Sequence, residues 1–251
     1  MKIKAYFSLA NWALALFAMW PALSTPAAEA KEISMANHEI VTVLTRYDVK
    51  DGYQKQLREA LLSYVNEVLV NESNIMAEAY FEQDQSSVLW VIERWNSKSD
   101  FENASKTPSF KIIDSLSKNG LSKVSQRIYL KDLEPVSKEQ WRSVADPADK
   151  PITIMLFVDA KPGTEIRFRE VYHQAMPEFR SEPGVINYQL SQFADDSTRF
   201  VTYERFRSEE AFQYHLNFPP IQPVVDYLNT SIRKQPFQSG LHRLVLIPSG
   251  Q

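Results

Sequence analysis

Glu182-Pro183-Gly184-Val185-Ile186-Asn187-Tyr188-Gln189-Leu190, followed by Phe200-Val201-Thr202-Tyr203-Glu204-Arg205-Phe206 and Ala211-Phe212-Gln213-Tyr214-His215, is the stretch whose reading decides the fold. Proline lacks an N–H and glycine accepts positive φ, so Glu182-Pro183-Gly184 ends the preceding helix and turns the chain into a strand. Val185 to Leu190 and Phe200 to Phe206 are rich in β-branched and aromatic residues, and Ala194-Asp195-Asp196-Ser197 supplies the turn between them. Strand alternation puts Phe200, Thr202, Glu204 and Phe206 on one face, with Val201, Tyr203 and Arg205 on the other. One face therefore holds a carboxylate among aromatics.

The same pattern stands 111 residues earlier: Gly52 answers Gly163, Glu93 answers Glu204, Arg94 answers Arg205, Phe101 answers Phe212 and Pro108 answers Pro219. Glu72 meets Glu182 at an offset of 110, which asks for one gap and sets Glu78 against Tyr188. The chain is two copies of one unit, each reading strand, helix, strand, strand, helix, strand. In the first copy Ile40 to Tyr47, Ile75 to Glu82, Val88 to Trp95 and Val124 to Leu130 are the strands. Leu57, Leu61, Tyr64 and Val68 recur at helical spacing as a buried stripe. Ser99-Asp100-Phe101-Glu102 reads as a capping box for the second helix. In the second copy Ile152 to Val158, the stripe Phe168, Tyr172, Ala175 and Phe179, and Leu241 to Ile247 take the equivalent places. The expected boundaries are residues 31–131 for the first domain, 132–150 for a charged, proline-bearing linker with Trp141 in it, and 151–251 for the second.

Glu182-Pro183-Gly184, Glu204 with Phe206, Ala211 to His215, and the opening Asp159-Ala160-Lys161-Pro162-Gly163 resemble the antibiotic biosynthesis monooxygenase (ABM) family over about residues 152–247. The resemblance implies an α+β fold of ferredoxin-like units. A sheet with both helices on one face leaves the other face bare, and members of the family cover it by pairing two units into a dimeric α+β barrel. A tandem chain does this within itself as an intramolecular pseudo-dimer; whether two chains also pair into a homodimer stays open.

The first thirty residues read as a leader rather than as part of the fold. Lys2 and Lys4 precede the apolar run Ala10 to Leu23, and Ala28-Glu29-Ala30 offers small residues to a signal peptidase. The run is short for a bilayer span, so a cleaved signal and a periplasmic or secreted protein are expected, with an uncleaved anchor as the competing reading. A net charge of -3 gives no basic surface for nucleic acid. Cysteine is absent, which removes disulfides, thiolate nucleophiles, iron–sulfur clusters and sulfur-bound zinc. The histidines His38, His173, His215 and His242 are far apart in sequence, without the i, i+4 pair of metal motifs. No metal is expected.

The copies are unequally equipped. Ala104 stands where the second copy has His215, and Asn103 where it has Tyr214, so a working site is expected in the second copy. His215 lies three residues after Phe212 and faces the sheet, where an imidazole serves as a base. The alternative is a buried histidine bonded to Glu204 or a backbone carbonyl. Tyr188, His173, Tyr214, Tyr203 and Phe212 are the candidate substrate-binding residues. Glu204, Arg205, Glu93 and Arg94 recur in the copy that lost the histidine, which favours a structural role such as a cross-strand or interface ion pair. The resemblance implies oxygenation of a quinol or polycyclic phenol, a small aromatic partner, without metal or flavin. Haem held by His215, as in haem-degrading relatives, and a non-catalytic binding protein are the alternatives.

Overall fold

The computed structural model describes residues 39–233 and 240–248, so the expected leader and cleavage site lie outside the described residues. The first copy runs β1 (Val41–Asp48), α1 (Gln54–Leu69), β2 (Asn74–Glu82), β3 (Val88–Trp95), α2 (Lys98–Ala104), α3 (Pro108–Gly120) and β4 (Gln126–Asp132). After a short helix α4 (Lys138–Trp141), the second runs β5 (Ile152–Asp159), α5 (Glu165–Ser181), β6 (Val185–Phe193), β7 (Arg199–Phe206) and α6 (Glu209–Leu216). A 3-10 turn (Pro219–Ile221), α7 (Gln222–Thr230) and β8 (Leu241–Leu246) complete it. The second helix of each copy is thus broken in two, because Pro108 and Pro219 remove an N–H where a continuous helix would need one. Helix α2 is capped by Ser97, whose side chain accepts from Asp100 N at 3.2 Å, one turn-residue pair earlier than the Ser99 expected.

Eight strands close into one barrel in the order β1-β3-β2-β8-β5-β7-β6-β4. The closing strand of each copy pairs with its own opening strand and with the other copy: β4 joins β6 from Leu130↔Phe193, and β8 joins β2 from Tyr80↔Leu246. Closure leaves no free sheet edge and turns both bare faces inward. Apolar residues accordingly form three cores. One lies inside the barrel, with Trp90, Met155 and Tyr203 among its members. The other two lie outside it, each between one copy's sheet and its helices, around Leu61 and Trp95 in the first copy and Phe168 and Phe206 in the second.

Two ion pairs lie in the barrel, one fully and one partly buried. Arg205 of the second copy meets Glu78 of the first at 2.9 Å, with Tyr203 donating to the same carboxylate. Arg94 Nε meets Asp132 at 2.8 Å with both side chains 2% exposed or less, Ser191 donates to Asp132, and the Arg94 guanidinium lies 3.5 Å over the Trp141 ring. Trp141 is buried there and ties the inter-copy segment to the barrel.

The registers also correct the alignment of the copies. Asn74 faces Trp95 as Val185 faces Phe206, with a bulge following in both, and Asn96 N bonds Ser73 O as Arg207 N bonds Gly184 O. The offset of 111 therefore holds without a gap: Glu182 is equivalent to Asn71, and Tyr188 to Ala77. Glu72 and Glu78 are one place off these positions.

Candidate functional site

Helix α5 stops at Ser181 because Pro183 follows, and its capping residue Glu182 turns its side chain under α6. Ser208 caps α6 by accepting from Ala211 N at 3.3 Å, which sets the helix so that Phe212 and His215 both face the sheet. There His215 Nδ1 and Glu182 Oε1 are 2.7 Å apart, with side-chain exposures of 2% and 1%. The carboxylate makes Nδ1 the donor and leaves Nε2 the accepting nitrogen; among the described residues Nε2 has no hydrogen-bond partner. Phe179, Tyr188 and Phe206 surround the imidazole at ring separations of 4.9, 5.2 and 5.2 Å. The second oxygen of Glu182 is buried and has no partner among the described residues.

Gly184 is needed for space rather than for an unusual backbone. Positive φ occurs at Gly52 and Gly163 but not here, whereas a Cβ added at Gly184 would sit 2.4 Å from the Ala211 Cβ. The Glu-Pro-Gly turn thus lets α6 approach closely enough for His215 to reach Glu182. Gly184→Ala is expected to push α6 away and cost about 1–3 kcal/mol, and Ala211→Gly in the same chain to restore most of it. Urea unfolding of the single and double variants checks this; equal losses in both would refute the contact.

Glu204 is the carboxylate among aromatics. It accepts from Tyr188 at 3.0 Å and Thr202 at 2.6 Å, and burial holds its carboxyl above the usual carboxylate range despite the nearby His215. Burial, with Glu204 beside it, also pushes the Tyr188 phenol far up, so Tyr188 stays protonated and its proton is committed to Glu204. Tyr188, Glu204, Phe212 and His215 line a cavity of about 20 Å³ walled by Tyr172 and, from the 3-10 turn and α7, Ile221 and Val224.

The other candidates lie elsewhere. His173 is one residue past Tyr172, off the buried stripe; its side chain is 78% exposed and bonded to Glu134 at 2.7 Å. Tyr214 is 54% exposed and stacks on Phe218, because it falls between Phe212 and His215 and so points outward from α6. Strand parity turns Tyr203 into the barrel, away from His215. Of the four residues read as structural, the arginines form the barrel ion pairs, whereas Glu93 and Glu204 face the outer cores and accept from hydroxyls and, for Glu93, an indole N–H, not from cations.

In the first copy Ala104 and Asn71 replace both members of the His215–Glu182 pair. Glu93 is kept but is served by Tyr64 from α1 at 2.8 Å and by the Trp95 indole at 3.1 Å. Burial pushes its carboxyl from the ordinary 4.5 up to about 7, against these two donors. A raised carboxyl pKa means that the fold favours the protonated form. Its stability contribution is full below about 4.5 and is lost as pH rises through about 7. Between pH 5 and 8 the native chain should lose about 2.5 kcal/mol relative to Glu93→Gln, measured by urea unfolding at both pH values; parallel pH profiles would contradict this.

Among the described residues there is no cluster of three or more His, Asp or Glu able to hold a metal, and no helix long and apolar enough to cross a membrane. With the α6–α7 cover in the position described, the space beside His215 has no room for a haem. The imidazole is 2% exposed, Nδ1 is held by Glu182, and the adjoining space is about 20 Å³.

A closed barrel of two fused α+β units, with a buried His–Glu pair in one of them, defines a tandem member of the dimeric α+β barrel class. The family model described as antibiotic biosynthesis monooxygenase matches residues 40–113 and 151–226, and the chain belongs to this family. Among solved structures, a Lactobacillus acidophilus protein provisionally named a monooxygenase is similar at a TM-score of 0.69 and 11% identity, over 84% of this chain and 95% of its own. One from Fusobacterium nucleatum, likewise provisionally named, gives 0.67 and 14% over 82% and 91%. An anthrone oxidase-like protein gives 0.58 and 12% over 84% and 94%. At these identities the likeness is one of fold. An uncharacterized protein of Synechocystis sp. is 28% identical over 79 residues, which are 32% of this chain and 54% of the relative, so the match spans about half of that curated relative's length.

Two features were not anticipated from the sequence. Glu182 was read only as a turn residue, although its place at the end of a helix stripe facing His215 was a usable signal. His242 was set aside as isolated, and it pairs with Glu82 of the other copy at 3.0 Å.

Proposed function

We propose that the second copy is a cofactor-independent monooxygenase centre for a quinol or small polycyclic phenol, with His215 as the base. Family membership supports a monooxygenase-type function in general. The observation that carries the finer reading is the buried His215–Glu182 pair beside an aromatic-walled space, present in one copy and replaced at both positions in the other. Glu182 holds the Nδ1 proton, so Nε2 takes the phenolic proton of the substrate. The resulting electron-rich ring carbon bonds one atom of O₂. His215 returns the phenolic proton to the far oxygen of the resulting peroxide, and cleavage of the O–O bond with loss of the ring C–H proton expels that oxygen as water, so that a quinol plus O₂ gives a hydroxyquinone plus water. The substrate supplies all the electrons. Phe179, Phe206 and Phe212 keep the space dry; Tyr188, its O–H engaged in the hydrogen bond to Glu204, acts by shape.

A space of about 20 Å³ admits no aromatic ring, so binding requires the α6–α7 cover to swing outward, carrying Leu216, Ile221 and Val224. The same small space favours a second reading, in which the pair is a structural lock and the domain binds without turnover. Oxygen uptake with a panel of reduced quinols separates the two. Uptake above autoxidation is expected from the native chain; a rate equal to the protein-free blank throughout would leave the lock.

A further inference from the structure

A second cavity, of about 220 Å³, opens inside the barrel between the copies, away from His215. Its place follows from the registers. Leu44 pairs with Ile128 as its equivalent Met155 pairs with His242, so Ile128 and His242 are equivalent. Arg46 faces Trp90 as Phe157 faces Val201, so Arg46 and Phe157 are equivalent too. Members of both pairs line the cavity, which therefore lies on the pseudo-twofold axis. In a homodimer of single units both sides of such a cavity carry the same residue. Here fusion has let them differ, with a guanidinium opposite a phenyl ring and an imidazole opposite an isoleucine.

The walls are built for a flat, charged molecule. Trp90, Phe157 and His242 form one aromatic cluster with ring separations of 6.0, 5.8 and 5.3 Å. Glu82 fixes two of these rings by accepting from Trp90 Nε1 at 2.9 Å and from His242 Nδ1 at 3.0 Å, which leaves His242 Nε2 without a partner among the described residues. Arg46 spends Nε and one terminal nitrogen on Asp48, both at 3.1 Å, and Arg199 spends Nε on Asp159 at 3.2 Å. Each guanidinium keeps N–H donors in the fork geometry that suits a carboxylate. Each carboxylate beside the two guanidiniums is already engaged, Asp48 by Arg46, Asp159 by Arg199 and Glu82 by Trp90 and His242, so the unspent N–H donors are what the wall offers a ligand. A surface groove of about 1150 Å³ shares Gln126, Ile128 and Arg199 with the cavity and supplies its entrance.

We propose that this axial cavity is a second small-molecule site, taking a planar aromatic carboxylate whose ring lies on the Trp90–Phe157–His242 cluster and whose carboxylate meets Arg46 and Arg199. It is distinct from the His215 centre and independent of that centre's chemistry. Calorimetric titration of the native chain with 2-naphthoate, and with 2-naphthamide as its uncharged counterpart, tests it. Saturable binding of the carboxylate at one site per chain is expected, at least about tenfold weaker for the amide and for the Arg199→Gln and Phe157→Ala variants, and unchanged in His215→Gln. No saturable binding to the native chain, equal affinity in Arg199→Gln and Phe157→Ala, or loss of binding in His215→Gln would each overturn it.

Discussion

Asp132→Ala is expected to lower the stability of the barrel by about 3–5 kcal/mol, because it strands the Arg94 charge in an interior where both partners are almost fully buried. Loss of the Ser191 bond adds to this in the same direction. For a chain of this size the melting temperature should fall by roughly 10 °C. The cost lies in the orphaned charge rather than in the lost attraction. Asp132→Leu combined with Arg94→Met, which removes both charges, should therefore be less destabilised than either single change. A loss under about 1 kcal/mol for Asp132→Ala would mean that water reaches Arg94 and that the barrel interior is not closed there.

His215→Ala is expected to reduce quinol-dependent oxygen uptake by about 10²–10⁴-fold, the usual yield of a positioned base. The deletion also leaves Glu182 buried with neither oxygen paired, so a loss of activity alone would be ambiguous. His215→Gln resolves this. Its amide still donates to Glu182 and keeps the packing against Phe206, but it takes no proton. Activity should be lost in His215→Gln with stability close to that of the native chain. Retained uptake in His215→Gln would assign the histidine to packing.

The repeat and the strand parity were legible because they rest on local rules. Alternation fixed which way Glu204, Tyr203 and Arg205 point, and i, i+3 spacing put His215 beside Phe212. Tyr214 as a pocket residue came from the same rule applied too loosely, since one residue along a helix rotates the side chain by about 100° away from its neighbour's face; His173, one residue past Tyr172, stands solvated at the helix edge, where its spacing from the buried stripe puts it. Pairing between elements distant in the chain was not legible. Whether Glu72 or Asn71 answers Glu182 depends on a register set by β2 and β3, and the close approach of Gly184 to Ala211 depends on the crossing of a turn by a helix. The axial cavity was further out of reach. Arg46, Trp90, Phe157 and His242 meet only because β8 inserts beside β2 of the other copy, a pairing that no single segment encodes.

The most direct test of the central claim is the fate of molecular oxygen. Purified chain, with chelator present and neither metal nor flavin added, would be given a reduced quinol under ¹⁸O₂ and the product examined by mass spectrometry. The account predicts a hydroxyquinone carrying one labelled oxygen, formed faster than in the protein-free blank and absent with His215→Gln. A product free of label, or labelled equally with His215→Gln, would contradict it.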